Sequence, residues 1–275
     1  MIRLARVISH LLLLFLLLAS SQGQARHESF LGFDRNQYPG DQSLSTLRQT
    51  FSYTSYWLNA PPGATMNSWG GKRALLERAG FGFLVVFNGR LYAALKSHPD
   101  VVAIGRQDGE DAAAAAEREG FPKGTVIFLD QEEGGRLLEA QRKYIHAFAD
   151  AVDHAGFRAG VYCSGIAVTE RNGATIHTAD DLKNNAGERR IVFWVSNDAC
   201  PPSPGCSMEP LSVSRSGVPF AEVWQYAQSP RRAAYTASCK RTYAADGMCY
   251  APGPQGLHVD LNTSTSPDPS HGRTH

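Results

Sequence analysis

Short apolar runs recur along the chain, each followed by a helix-like or irregular stretch. They fall at residues 30–34, 55–58, 82–87, 101–104, 125–132, 158–164, 191–196, 222–227 and 257–261. Runs of this length bounded by turn formers read as buried strands. The weakest, 101–104, is very short and reads as a loop or a helix lead-in, which leaves eight strands. Helical patterns lie between them. Residues 69–79 stop at Gly80, and residues 108–119 carry five consecutive alanines and stop at Gly120. Ala is the best helix former. Residues 136–155 place Leu137, Leu138, Ala140, Tyr144, Ile145, Phe148, Ala149 and Val152 on one stripe, ended by Gly156. Strands alternating with helices predict parallel βα units. Eight strands in about 240 residues fit a single-domain α/β fold, the (β/α)8 TIM-type barrel.

The two ends of the chain read differently from this middle. Arg3 and Arg6 precede an apolar stretch dominated by leucine from Leu11, then small and polar residues to Gly23. That three-part layout predicts a secretory signal peptide over residues 1–24. Its apolar core of about 12 residues falls short of the ~20 that span a bilayer. The expected location is therefore secreted or periplasmic, with no stable membrane insertion after cleavage. Residues 25–262 form the expected barrel domain. Residues 263–275, rich in Ser, Thr, Pro and His, read as a disordered tail.

Charge and cysteines narrow the partners. The chain has 27 Lys+Arg and 26 Asp+Glu. Losing Arg3 and Arg6 with the leader leaves 25 against 26, a net of −1. Such balance carries no footprint for nucleic acid. The five cysteines are Cys163, Cys200, Cys206, Cys239 and Cys249. In an oxidising compartment the favoured pairs are Cys200 with Cys206 and Cys239 with Cys249, each bracketing a loop. Cys163 sits in an apolar run and reads as a buried free thiol. Zinc-ligand spacings are missing, and no Gly-x-Gly-x-x-Gly follows a strand. No cofactor and no metal is expected.

Polar residues at the strand ends carry the candidate chemistry, because barrel active sites form on the C-terminal rim. Asp34, Asp130 with Glu132, Asp198 and Asp260 all fall there. Side chains alternate along a strand, so Asp130 and Glu132 share a face, with Cα atoms roughly 6–7 Å apart. Two close carboxylates disfavour joint ionisation, so one of them should hold its proton to higher pH. Glu133 reads as a solvated first-turn residue ahead of the next helix. Tyr56, Trp57, Tyr162, Trp194, Trp224 and Tyr226 cluster near the same ends. Flat rings beside carboxylates and amides suit a carbohydrate cleft, and each ring could equally be core packing.

These residues also resemble a known family. GFDRNQYPG, YWLNAPPG, FLDQEEGG, GVYCSG, FWVSND, VWQYAQS and HVDLN, in that order over about residues 30–262, resemble domain-of-unknown-function family 1906. That family is also called the glycoside hydrolase-like domain. It is similar to the family-25 glycoside hydrolases, barrel muramidases that cut peptidoglycan. The resemblance implies a catalytic set of Asp34, Asp130, Glu132 and Asp260. Glu132 inherits the general-acid role. Asp130 would be ionised, stabilising positive charge or orienting a substrate N-acetyl group. Trp57, Tyr162, Trp194, Asp198, Trp224, Gln225 and Tyr226 are the expected substrate-binding set. The first-strand segment DRNQY departs from the muramidase pattern. Two functions stay open: a hydrolase of cell-wall, peptidoglycan-type glycan, and a non-catalytic glycan-binding protein with the same barrel. A Ca²⁺ or Mg²⁺ site on the four acids ranks behind both, since no EF-hand spacing is present.

Overall fold

The computed structural model describes residues 28–197, 209–227 and 259–274. The leader, four of the five cysteines and Asp198 lie outside these residues.

Eight strands close a barrel: β1 (Phe30–Asp34), β2 (Tyr53–Trp57), β3 (Gly82–Asn88), β4 (Val126–Asp130), β5 (Arg158–Ser164), β8 (Val192–Ser196), β9 (Val223–Ala227) and β10 (Asp260–Ser264). A small hairpin, β6 (Val168–Thr169) with β7 (Thr175–Ile176), stands apart. Helices α1 (Leu44–Arg48), α2 (Arg73–Arg78), α3 (Tyr92–Leu95), α4 (Val101–Arg118), α5 (Glu139–His154) and α6 (Thr178–Asn185) fill the connections. Around the barrel the strand order is β1-β10-β9-β8-β5-β4-β3-β2. The eight strands and the interleaved helices are those of a TIM-type barrel.

Residues 101–104 are the first turn of α4, capped by Asp100, whose side chain accepts from the Ala103 amide at 2.9 Å. One departure concerns direction. β10 pairs antiparallel with both β1 and β9, so the repeat of parallel βα units stops before the last strand. Because β10 runs the other way, Asp260 at its start lies opposite Asp34 at the end of β1.

The inner face carries more ring than a narrow barrel accommodates without glycines. A Cβ on Gly32 would lie 2.0 Å from the Tyr53 ring, and one on Gly160 would lie 2.6 Å from the Phe128 ring. These two positions make room for aromatic packing inside the barrel. The Trp194 ring lies edge-on to Phe128 at 5.8 Å and to Tyr162 at 4.6 Å. The outer faces pack beneath the helices, where Tyr56 meets Trp69, Phe83 and Phe121.

The expected disordered tail is corrected by this structure. Residues 263–274 finish β10 and then fold under the barrel. The Phe83 amide donates to Asp268 Oδ1 and the Val85 amide to Ser270 Oγ, both at 2.8 Å. The Val126 amide donates to the Ser270 carbonyl, also at 2.8 Å. Polar tail residues thus satisfy strand groups at the N-terminal rim that would otherwise be unpaired. A Cβ on Gly82 would lie 2.0 Å from the Pro267 carbonyl oxygen, so glycine lets the tail pass this close. Cys163 is a buried free thiol whose pKa burial pushes well up. Among the described residues no helix is long and apolar enough to cross a membrane.

Candidate active site

At the C-terminal rim a cleft of about 180 Å³ is lined by Asp34, Asn36, Trp57, Pro62, Val86, Asp130, Glu132, Tyr162, Trp194, Gln225 and Asp260. No Lys, Arg or His is among these residues. All four acids expected from the sequence are present. Strand register brings most of them together. Asn88, Asp130, Tyr162 and Trp194 are successive ladder partners across β3, β4, β5 and β8. Asp34 and Asp260 are partners where β1 meets β10.

Asp34 is held by a closed set of hydrogen bonds. Gln225 Nε2 donates to both its oxygens, at 2.9 and 3.2 Å, and Asn262 Nδ2 donates to Oδ1 at 2.6 Å. The two amides are themselves oriented. The Tyr162 hydroxyl donates to Gln225 Oε1 at 2.7 Å, and Trp194 Nε1 donates to Asn262 Oδ1 at 2.9 Å. Each amide oxygen is thereby occupied, which aims each NH2 at Asp34. Burial pushes the Asp34 carboxyl up to about 6, against the pull of these donors and with a further push from the Glu132 charge.

Asp130 is as deeply placed and has none of this support. Only 5% exposed, it has no hydrogen-bond partner for either oxygen among the described residues. Burial first, then the charges of Glu132 and Asp34, hold its carboxyl well above the usual range. The expected ionised Asp130 is therefore corrected. No donor stabilises its charged form, so burial favours the protonated one. Glu132 lies just beyond β4, exposed, and lines the cleft. The loop that carries it leaves the strand two residues earlier than the apolar run predicts.

Residues 71–200 match the family model of the Rv2525c-like, glycoside hydrolase-like domain. The match spans 130 of the 275 residues, just under half of the chain. No curated protein matches the chain. Among solved structures, the Tat-secreted protein Rv2525c of Mycobacterium tuberculosis gives a TM-score of 0.51 at 14% identity, covering 88% of this chain and 96% of that one. The spore cortex lytic enzyme SleM of Clostridium perfringens gives 0.51 at 17% identity, covering 89% and 70%. At these identities the likeness is one of fold.

The expected binding set divides. Trp57, Tyr162, Trp194 and Gln225 line the cleft, and Trp57 Nε1 is tied to the Arg35 carbonyl at 3.1 Å. Trp224 and Tyr226 do not line it. They sit on the opposite face of β9 from Gln225, with rings 5.7 Å apart. Trp224 Nε1 donates to the Asn197 carbonyl at 2.8 Å and the Tyr226 hydroxyl to the Glu209 carbonyl at 3.1 Å. Alternation along a strand forbids all three from facing inward, and Gln225 takes the inner place. Asp198 lies outside the described residues. Among the described residues no group of three or more His, Cys, Asp or Glu side chains could hold a metal ion. Sequence reasoning assigned no role to Asn262, although it stands in the HVDLN element two residues after Asp260. Period-two alternation from Asp260 would have pointed it into the barrel.

Proposed function

We propose that this chain is an exported glycoside hydrolase acting on cell-wall glycan of the peptidoglycan type. One observation carries the reading: Asp34, Asp130, Glu132 and Asp260 open into one cleft walled by Trp57, Tyr162 and Trp194. Indole and phenol faces suit the apolar side of a sugar ring, and carboxylates suit its hydroxyls. The fold shared with a spore cortex lytic enzyme supports the substrate class. The fold shared with a Tat-secreted protein, together with the leader-like residues 1–24, supports export.

The two acids of the Asp130–Glu132 pair carry separate protons: Asp130 keeps its own, and Glu132, open to solvent, takes one up from water. Glu132, the exposed member, reaches the leaving glycosidic oxygen and donates to it as general acid. Asp130 lies beneath and offers its O–H to the bound sugar. Asp34, with its oxygens fixed by two amides, supplies a negative charge facing the positive charge that develops at the reacting sugar carbon. The deep burial of the protonated Asp130 also favours the second reading, a glycan-binding protein that does not turn over.

A panel of purified peptidoglycan and chitin oligosaccharides separates the two. Hydrolysis predicts new reducing ends and falling turbidity with peptidoglycan. Calorimetric binding without any new reducing end selects the binding protein. Neither binding nor cleavage across the panel removes both readings.

A further inference from the structure

Glu132 makes no hydrogen bond and no ion pair among the described residues. Its place in the cleft is therefore set by its backbone. That backbone has left β4, so no strand ladder fixes it. What holds it comes from the residues on either side, beginning with the Gln131 amide, which donates to the Tyr162 carbonyl at 2.9 Å. Glu133 Oε2 accepts from the Tyr92 amide at 2.8 Å and from Gln141 Nε2 at 2.6 Å. Tyr92 opens α3, in the connection after β3, and Gln141 lies in the first turn of α5. Gln141 is itself oriented, since its Oε1 accepts from the Leu138 amide at 2.8 Å. One carboxylate oxygen thus ties the segment bearing Glu132 to two neighbouring elements. On the far side the Leu137 amide donates to Asp181 Oδ2 at 2.9 Å. Glu132 directly precedes the first of these two anchors.

We infer that Glu133 is a positioning residue for Glu132: it fixes the loop so that the Glu132 carboxyl stands over the cleft. The inference rests on the hydrolase reading of the site. It also replaces the sequence expectation of Glu133 as a solvated first-turn residue. Glu133 is half-buried, and its carboxylate accepts hydrogen bonds from two other elements. Its role is geometric, because the Tyr92 amide and the Gln141 amide group both need an acceptor and neither needs a charge. An amide oxygen at this position meets the same demand.

The test compares Glu133→Ala with Glu133→Gln, each alone and combined with Glu132→Gln, on soluble peptidoglycan fragments. Glu133→Ala is expected to lower kcat about 10–100-fold, as sub-ångström misplacement of a reacting group does, with KM moving less than about threefold. Glu133→Gln should recover kcat to within about fivefold of the parent. In the Glu132→Gln background Glu133→Ala should cost almost nothing more, because the residue it positions is already disabled. An equal loss in both backgrounds, or a Glu133→Gln as poor as Glu133→Ala, overturns the inference. Amide exchange decides the tether without turnover. Faster exchange at Tyr92 and over residues 131–135 in Glu133→Ala, and not in Glu133→Gln, supports it. Unchanged exchange in Glu133→Ala overturns it. A parent that cleaves no glycan sinks the hydrolase reading, and the exchange result still stands for or against the tether.

Discussion

Asp34 and Asp130 are buried almost equally, at 7% and 5% exposure, on strands three apart in the same barrel. On the β1–β9–β10 wall, Asp34 accepts from two amides whose own oxygens are engaged by Tyr162 and Trp194. On the β4 wall, Asp130 accepts from nothing among the described residues. Burial pushes both carboxyls up, and only the donors hold Asp34 to about 6 while Asp130 goes well above the usual range. The first keeps its charge more readily than the second. The difference comes from what the neighbouring strands supply, since depth is nearly matched.

The largest expected effect comes from the acid that stands between these walls. The Glu132 charge raises both Asp34 and Asp130. Glu132→Gln removes that charge and the proposed donor while keeping the shape. Turnover of peptidoglycan should fall roughly 10²–10⁴-fold, with glycan binding retained. Both aspartates should then titrate lower than in the parent, which carboxyl-labelled NMR would read. Retained turnover would remove Glu132 from the chemistry and leave the two walls without their shared acid.

A smaller effect separates the walls by stability. A carboxyl whose folded pKa is raised favours the folded state fully below its unfolded value, about 3.9, and that contribution is lost as pH rises toward the folded value. Asp130 therefore burdens the fold at neutral pH, and Asp130→Asn removes the burden without breaking a hydrogen bond. Its Tm at pH 7 should rise by roughly 2–6 °C, each kcal/mol being worth about 2–4 °C at this size. The gain should vanish below about pH 4, where the carboxyl is protonated whether folded or unfolded. Asp34→Asn should not gain, because its new NH2 would face the NH2 groups of Gln225 and Asn262. Thermal melts at pH 3.5 and pH 7 check both. Equal behaviour of the two variants would mean that the amide network does not distinguish the walls.

Much of this was legible before any coordinates. The bounds of β1 and β5 match their apolar runs, and Asp34, Asp130, Glu132 and Asp260 do meet in one cleft. Those features follow from local periodicity and from barrel closure. The tail was not legible, because composition reports polarity and cannot say what the polar groups bind. Ser270 and Asp268 bond strand amides where a disordered chain would bond water. The antiparallel β10 was hidden for a related reason, since an apolar alternation has the same pattern in either direction. Trp224 and Tyr226 were misplaced although alternation with Gln225 was visible in VWQYA. The protonation of Asp130 needed the structure, because donors to a carboxyl come from other strands. Tyr92 and Gln141, the partners of Glu133, are likewise 41 and 8 residues away in sequence.

The smallest expected effect probes the network at its outermost link. Tyr162→Phe deletes the hydroxyl that donates to Gln225 Oε1 and keeps the ring that packs on Trp194. Gln225 then has no partner for its oxygen and is free to turn it toward Asp34 in a fraction of molecules. Asp34 loses donor time, and its carboxyl should titrate above the value near 6 that the intact network gives. The direction follows from the sign of the lost interaction: an amide NH2 favours the ionised form, and an amide oxygen opposes it. The cost to stability should be that of one buried hydrogen bond, about 1 kcal/mol, seen as a Tm lower by roughly 2–4 °C at neutral pH. Asp130 accepts nothing from Tyr162, so its own titration should stay where it is. Carboxyl NMR on the single variant reads both residues at once. If Asp34 stays put, the phenol does not orient Gln225. If Asp130 moves as far as Asp34, the two walls are coupled through Tyr162, and their contrast is one of degree.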